Sequence, residues 1–252
     1  AGLLFRSFVN LQRVDPGFDA ANVLTARIDL NWSKYAKGPA VRAFEEALVD
    51  RLAAEPGVAG VAVSNASPMS QGQPNTSTFR IDGRPLGGGH SAPTVDVRAA
   101  SPDYFRVLGV ALVRGRTFTP FDRDTANVPV VVNQTAATRY WAGASPIGAR
   151  LSFDDGKHWA TVVGVVGDVA QYGPAAGATP ALYAPFAVTT FSDMRLLVRG
   201  RADPLLLARH VGAIVHDLDP AQPVTDVRTL AQLRGSAIAT PRITMLLIGA
   251  FA

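Results

Sequence analysis

Cysteine is absent from the 252-residue chain. Disulfide frameworks, thiolate zinc sites, iron–sulfur clusters and cysteine nucleophiles are therefore excluded. The absence of cysteine does not determine the cellular compartment, because an oxidising compartment permits disulfides without requiring them. Charge is also sparse, since Asp, Glu, Lys and Arg make up 17% of the residues where about 25% is usual. This shortage indicates a chain that borders something apolar.

Lysine is rare and occurs only at Lys34, Lys37 and Lys157, although the formal net charge is +4. The cations are therefore almost all arginine, which raises the question of nucleic-acid binding. The arginines stand singly along the whole chain, with no basic run and no interleaved aromatic residues, so the sequence argues against a nucleic-acid partner.

Both ends are apolar. Residues 1–11 are rich in Leu and Phe and show no signal-peptide pattern. Residues 243–252 carry no charge, but a membrane span needs about 20 residues. We therefore expect a segment that lies between two membrane helices. A terminal amphipathic helix packed on the domain is the alternative for the last ten residues.

Hydrophobic periodicity predicts alternating strands and helices between these ends. In the first helix Val41, Phe44, Leu48 and Leu52 share one face. Helices are predicted over 39–55, 101–108, 134–141 and 204–217, the second with Ser101 as N-cap and Gly109 as its stop. Strands are predicted over 22–30, 58–64, 78–82, 94–99, 128–132, 150–153, 161–169, 181–186, 195–199 and 224–227.

The order of these elements predicts an α+β fold of two βαβ halves, with a small β-rich subdomain inserted between them. Together with the apolar ends, it divides the chain into five parts. These are a membrane-proximal helix or stalk leading in (1–21), the first half (22–119), the inserted subdomain (120–179), the second half (180–232), and an exit stalk with the start of a transmembrane helix (233–252).

An ordered series of short motifs covers nearly the whole chain. The motifs include Val14-Asp15-Pro16-Gly17-Phe18-Asp19, Ser101-Pro102-Asp103-Tyr104-Phe105, Gly115-Arg116-Thr117-Phe118, Val131-Val132-Asn133, Pro146-Ile147-Gly148, Val163-Gly164-Val165-Val166-Gly167-Asp168 and Thr225-Asp226-Val227-Arg228-Thr229-Leu230. Each motif is weak alone, but the series resembles the MacB-like periplasmic core domain of ABC transporter permeases. The duplicated, ATPase-lacking, FtsX-like permeases of acidobacterial type are the group it resembles most.

The resemblance implies a non-catalytic extracytoplasmic domain in the inner membrane, made of a porter-like part and an inserted sabre-like part. Such a domain transmits motion from the membrane helices to a substrate or a partner protein during export. The implied partners are a separate cytoplasmic ATPase chain and a periplasmic adaptor or second permease copy. A free-standing ligand-binding or interaction module remains the alternative.

No residue of the sequence is assigned a catalytic, cofactor-binding or metal-binding role. The chain has neither a P-loop nor a Gly-x-Ser-x-Gly elbow, so ATP hydrolysis and serine-hydrolase chemistry lack their motifs. His210 and His216 are six residues apart on the fourth predicted helix, which places them on different faces. Solvent-exposed positions are expected for these two and for His90 and His158.

Acidic pairs and glycine runs are also read as structural. Asp122, Asp124, Asp154 and Asp155 lack the spacing of a calcium loop and are expected in turns and caps. Gly164 and Gly167 lie in an apolar strand, where they permit a bulge or close packing. If the domain contacts a substrate or a partner, the loops 68–75 and 87–92 are the places expected to do so.

Overall fold

The computed structural model describes residues 15–31, 33–35, 38–69, 74–84, 92–123, 127–173, 176–188 and 193–237. Its helices are α1 (Gly38–Ala53), α2 (Tyr104–Leu108), α3 (Gln134–Trp141) and α4 (Ala208–Leu218), and the chain is again helical over 230–237. Its strands are β1 (Val23–Asp29), β2 (Val58–Ser64), β3 (Thr76–Thr78), β4 (Arg80–Ile81), β5 (Thr94–Ala100), β6 (Leu112–Gly115), β7 (Val128–Asn133), β8 (Arg150–Ser152), β9 (Ala160–Val166), β10 (Ala181–Pro185), β11 (Asp193–Gly200) and β12 (Val224–Thr229).

The strands form one mixed sheet with the order β12-β1-β11-β2-β5-β10-β7-β9-β8-β4, while β3 pairs with β5 and β6 with β9. In its first part β11 is antiparallel to both β1 and β2, and β12 is antiparallel to β1. Each of the pairs β1–β2 and β11–β12 is therefore parallel and separated by a strand of the other pair. This is the split βαβ arrangement of ferredoxin-like folds, and it confirms the two βαβ halves and the α+β class.

Helices α1 and α4 cover one face of this first part. The predicted face of α1, Val41, Phe44, Leu48 and Leu52, is buried as expected. These side chains share one apolar cluster with alternate residues of β1, β2 and β11 and with the buried face of α4. Because burying each larger side chain contributes about 1.5–3 kcal/mol, this cluster holds the two helices on the sheet.

The opposite face of the same strands is also covered. Helix α2 packs Tyr104, Phe105, Val107 and Leu108 into a second apolar cluster. Gly109 ends α2 in the left-handed region at φ 67°, where glycine is the favoured residue. The strands that alternation predicted as half-buried are therefore packed on both sides.

The second part of the sheet joins β5, β10, β7, β9, β8 and β4. Helix α3 packs its buried residues Ala136 and Trp141 into a third apolar cluster with β7, β9 and β10. Strands of residues 120–179 pair here with β4, β6 and β10, which lie outside that range. The division of the chain at residues 120 and 179 stays a prediction.

Three local expectations differ from the structure. The strand predicted over 78–82 is two short strands, β3 and β4, because Phe79 between them turns into the third cluster. Ser101 is not the N-cap of α2, since Asp103 takes that position and the Ser101 hydroxyl accepts a hydrogen bond from the Val63 amide instead. Strand β9 ends at Val166 rather than residue 169.

The expected stalks lie largely outside the described residues, at 1–14 and 238–252. Within the part of the chain that the structure describes, no helix is long and apolar enough to cross a membrane.

Candidate functional site

A buried polar network lies where the two parts of the sheet meet. Asp96 and Arg98 are two residues apart on β5, so their side chains emerge on the same face, and they are 5% and 2% exposed. The Arg98 guanidinium donates from Nε to Asp96 Oδ2 at 3.1 Å and from Nη1 to the Tyr183 hydroxyl at 3.2 Å. Tyr183 belongs to β10, the next strand. The ion pair therefore links β5 and β10 through side chains as well as backbone.

Two further donors complete the network around Asp96. The Tyr172 hydroxyl donates to Asp96 Oδ2 at 2.7 Å, and the backbone amide of Asn75 donates to Asp96 Oδ1 at 3.2 Å. A buried carboxylate is tolerated only when its oxygens find such partners. The network thus fastens β5 to the chain around residue 75 and to the turn that contains Tyr172.

Raised pKa values keep the Arg98 guanidinium charged and the Tyr172 hydroxyl protonated at neutral pH. Burial lowers the pKa of Arg98. Electrostatic interactions with Tyr183 and Asp96 raise it by more, so the pKa is raised overall. Burial also raises the pKa of Tyr172, and its hydrogen bond to Asp96 adds to that increase. The arrangement is a buried ion pair that connects β5 to β10 and to the turn containing Tyr172.

The backbone connection between the two parts is short. Strands β2 and β5 pair only at Ser64 and Ala100, whereas β1 and β11 pair over seven residues. Side chains strengthen the junction, because the Ser64 hydroxyl donates to the Ala99 carbonyl at 2.6 Å. The Ser101 hydroxyl accepts from the Val63 amide at 2.9 Å.

The first and last described segments pack against the same apolar cluster. Phe18 and Ala20 near the start and Leu230 in the last helix are buried in the second cluster, against which Leu233 and Ala237 also pack. The amide of Ala170 donates to the Pro16 carbonyl at 2.9 Å. At Gly17, whose φ is 74°, an added Cβ would lie 1.7 Å from the Asp168 carbonyl oxygen. Both segments are thus held against the same core, and the first is also held against the chain after β9.

The two loops predicted to make contacts are only partly described. Residues 70–73 and 85–91 lie outside the described ranges. Of the first loop, Met69 is buried at φ 61° and its amide donates to the Gln171 carbonyl at 2.9 Å. A contact role for loops 68–75 and 87–92 stays a prediction.

The histidines are placed as expected where the structure describes them. His158 and His210 are exposed and pair with Asp154 at 2.5 Å and Glu55 at 2.7 Å. His216 is exposed on α4, and His90 lies outside the described residues. Among the described residues, no group of three or more His, Asp or Glu side chains is placed to hold a metal ion.

The acidic pairs and glycines also behave as structural residues. Asp122 accepts from the Thr119 amide at 2.7 Å, and Asp154 accepts from the His158 amide at 2.9 Å. Asp124 lies outside the described residues. An added Cβ at Gly164 would lie 2.0 Å from the Arg116 carbonyl oxygen, so the close packing expected of this glycine is confirmed.

The Asp96–Arg98 pair was missed by the sequence reasoning. The alternation of Val95 and Val97 suggested that the polar residues between them face solvent. A signal was available, since opposite charges two residues apart on a strand share a face and can form an ion pair. Only the neighbouring strand and turn, however, supply Tyr183 and Tyr172.

A family comparison identifies the class of protein that this fold represents. The family model of the MacB-like periplasmic core domain matches residues 7–230. The chain therefore belongs to the MacB-like periplasmic core domain family, as the motifs predicted.

Individual relatives agree with this placement. A macrolide export ATP-binding/permease protein MacB of Aggregatibacter actinomycetemcomitans is 32% identical over 124 residues, which make up 49% of this chain and 18% of the relative. The aligned region is thus about a fifth of that relative's length.

Solved structures show the same fold. The periplasmic region of MacB from Actinobacillus actinomycetemcomitans is 17% identical, covers 90% of this chain and 97% of its own, and superposes with a TM-score of 0.58. The extracellular domain of the noncanonic ABC-type transporter YknZ from Gram-positive bacteria is 17% identical and covers 80% of this chain and all of its own, with a TM-score of 0.50.

Proposed function

We propose that this chain is the periplasmic part of an ABC transporter permease in the inner membrane and that it transmits movement of the membrane helices during export. The recipient of the movement is a substrate, a periplasmic adaptor or a second permease copy. The energy comes from a separate cytoplasmic ATPase, and the chain itself performs no catalysis. Family membership supports the location of the domain.

The mechanical role is supported by the shared anchoring of the two end segments. Residues 15–20 and the helix over 230–237 pack against one cluster, which also contains Tyr104 and Phe105 of α2 and Tyr183 of β10. A displacement of either end segment therefore acts on both parts of the sheet. Well-packed interiors have low compressibility and transmit strain, so the described part should move as a rigid body.

The location can be tested by thiol labelling. Lys157 is exposed, and this chain has no cysteine. A Lys157→Cys variant of the full-length parent protein, with cysteines elsewhere in it replaced, should react with a membrane-impermeant maleimide added to spheroplasts. The buried Ser64→Cys variant is the matched control and should react only after unfolding. Labelling of Lys157→Cys only after lysis would contradict a periplasmic location.

The mechanical role needs the assembled transporter in two nucleotide states. Spin labels at Gly235→Cys and Lys157→Cys report a distance within one domain, and labels at Lys157→Cys in two copies report a distance between domains. ATP binding is expected to change the second distance and leave the first unchanged. An unchanged distance between domains, or a nucleotide-dependent distance within one, would contradict transmission by a rigid domain.

A further inference from the structure

A narrow acidic cleft opens beside α1, away from the Asp96–Arg98 network. It lies between α1, the turn before α2, the loop 119–123 and the chain after β10, with a volume of about 220 Å³. One arginine, Arg123, lines it together with five carboxylates. These are Glu45, Glu46, Asp50, Asp103 and Asp122.

Glu45 differs from the other buried or half-buried carboxylates of the cleft. It is 5% exposed, and it forms no hydrogen bond or ion pair with any residue that the structure describes. Glu46 pairs with Arg123 at 2.8 Å, and Asp122 pairs with Arg116 at 2.7 Å. Asp103 pairs likewise with Arg106 at 2.7 Å, at the edge of the cleft. The carboxylate oxygens of Glu45 are in contact with the open space of the cleft, where a cation from outside the described chain can reach them.

The size and chemistry of the cleft restrict that partner. Drug-sized ligands occupy pockets of about 300–1,000 Å³, so this cleft accommodates a single side chain rather than such a molecule. Among the described residues, no three carboxylates converge on one metal-sized point. A guanidinium or ammonium group on a thin aliphatic stem satisfies both the charge and the shape.

The loop that lines the cleft also carries an exposed aromatic side chain. Phe121 lies between the lining residues Pro120 and Asp122, and it is 90% exposed. A large exposed aromatic beside a buried charge is typical of a polypeptide-binding surface, where it packs against residues that flank the inserted side chain. A free amine has no such flanking residues.

We propose that the cleft binds the cationic end of an arginine or lysine side chain on a partner polypeptide, with Glu45 as its acceptor and Phe121 as the contact for its neighbours. The inference stands on the cleft alone and does not require the mechanical role proposed above.

The electrostatics of Glu45 agree with this assignment. Burial and the nearby Glu46 raise its pKa to about 7, while Arg123 and Arg42 act in the opposite direction. Asp50 on α1, Asp122 on the loop and Asp103 before α2 are the remaining charged groups that face the cleft. A bound cation stabilises the ionised form of Glu45 and should lower its pKa.

The test measures binding of a blocked pentapeptide with a central arginine, flanked by leucine and alanine, to the 252-residue chain. Backbone amide NMR shifts at pH 8 report the site and the affinity. The same peptide with neutral citrulline should bind at least about tenfold more weakly, because a charge-assisted hydrogen bond is lost. Glu45→Gln should lose about tenfold in affinity for the arginine peptide.

Matched variants separate this site from general charge effects. Asp217→Asn removes the same charge from an exposed position on α4 and should change the affinity by less than about twofold. Phe121→Ala should weaken binding of the arginine peptide but leave binding of butylguanidinium, the free cation, unchanged. Preserved amide dispersion of Glu45→Gln shows that the variant is folded, and removing an unpaired buried charge gives no reason for unfolding.

Three results would overturn the proposal. The first is equal affinity for the arginine and citrulline peptides, and the second is full binding by Glu45→Gln. The third is butylguanidinium binding as tightly as the peptide, because the ligand would then be a free cation rather than a polypeptide side chain.

Discussion

Several charged residues of this domain are buried, and they differ in whether an oppositely charged partner lies beside them. Arg98 and Asp96 are deeply buried and satisfy each other. Glu45 is almost as deeply buried, and no described residue compensates it through a hydrogen bond or an ion pair. Asp96 and Arg98 therefore form a structural ion pair within the fold. Glu45 has no such partner among the described residues, so its carboxylate is available to a ligand.

Glu45 should make the stability of the domain pH-dependent. Its pKa is raised from 4.5 to about 7 in the folded chain, so between these values the folded chain holds a proton that the unfolded chain has released. The free energy of unfolding should therefore fall as the pH rises from about 4.5 to about 7, by up to roughly 3 kcal/mol from this group. Urea unfolding at pH 4.5, 6 and 8 measures the change.

The matched variants isolate this contribution. Glu45→Gln should flatten the pH dependence and be more stable than the parent chain at pH 8, because it carries no charge to bury. Asp217→Asn should keep the parent pH profile. If Glu45→Gln and the parent chain lose stability equally over this range, the pH dependence belongs to other groups.

At the scale of elements, side chains compensate for uneven strand pairing. Strands β1 and β11 are joined by a ladder of seven pairs, with Arg27 between the two facing carboxylates Asp29 and Asp193. Strand β5 has one pair with β2. Its connections to β10 and to the turn at residue 172 depend in addition on the Asp96–Arg98 network.

Replacing one charged residue of this network should destabilise the fold more than replacing both. Arg98→Met leaves the Asp96 carboxylate buried with the hydrogen bonds from Tyr172 and Asn75 but without its cation, and we expect a loss of about 3–5 kcal/mol in the free energy of unfolding. The double variant Asp96→Val/Arg98→Met should lose less than the sum of the two single variants, because neither charge remains. Guanidinium unfolding of the four chains of this cycle gives the coupling. Additive losses would show that the pair contributes no coupling energy.

At the scale of the whole molecule, one sheet contains two differently connected parts. The first consists of β12, β1, β11 and β2 with α1 and α4, and the second runs from β5 to β4 with α3. We proposed from sequence that 120–179 is an inserted unit between the halves 22–119 and 180–232. That division stays a prediction. The single pair between β2 and β5 predicts a different boundary, near residue 64, between units that unfold separately while the native domain stays rigid.

Native-state hydrogen exchange should resolve this boundary. Amides of β1, β2 and β11 are expected to open together as one unit, and those of β7, β9 and β10 as another, because long ladders cooperate and a single pair does not. The dependence of each amide on low concentrations of denaturant gives the free energy and size of each opening. One common opening for all core amides would contradict a division into units.

The sequence by itself determined most of the elements, the fold class and the family of this protein. Local periodicity and turn chemistry act over a few residues, so α3, β2 and the buried face of α1 were predicted as they occur. The ordered motifs likewise led to the family that the comparison confirmed. These features depend on residues that are close in the chain, so they can be predicted from the sequence.

Only the tertiary structure decided which polar residues are buried and what compensates them. Asp96 meets Tyr172, and Arg98 meets Tyr183, across 76 and 85 positions of the chain. Glu45 is enclosed by residues from four separate segments. The burial of a charge depends on surfaces that are distant in sequence, so no local pattern could place the network or the cleft.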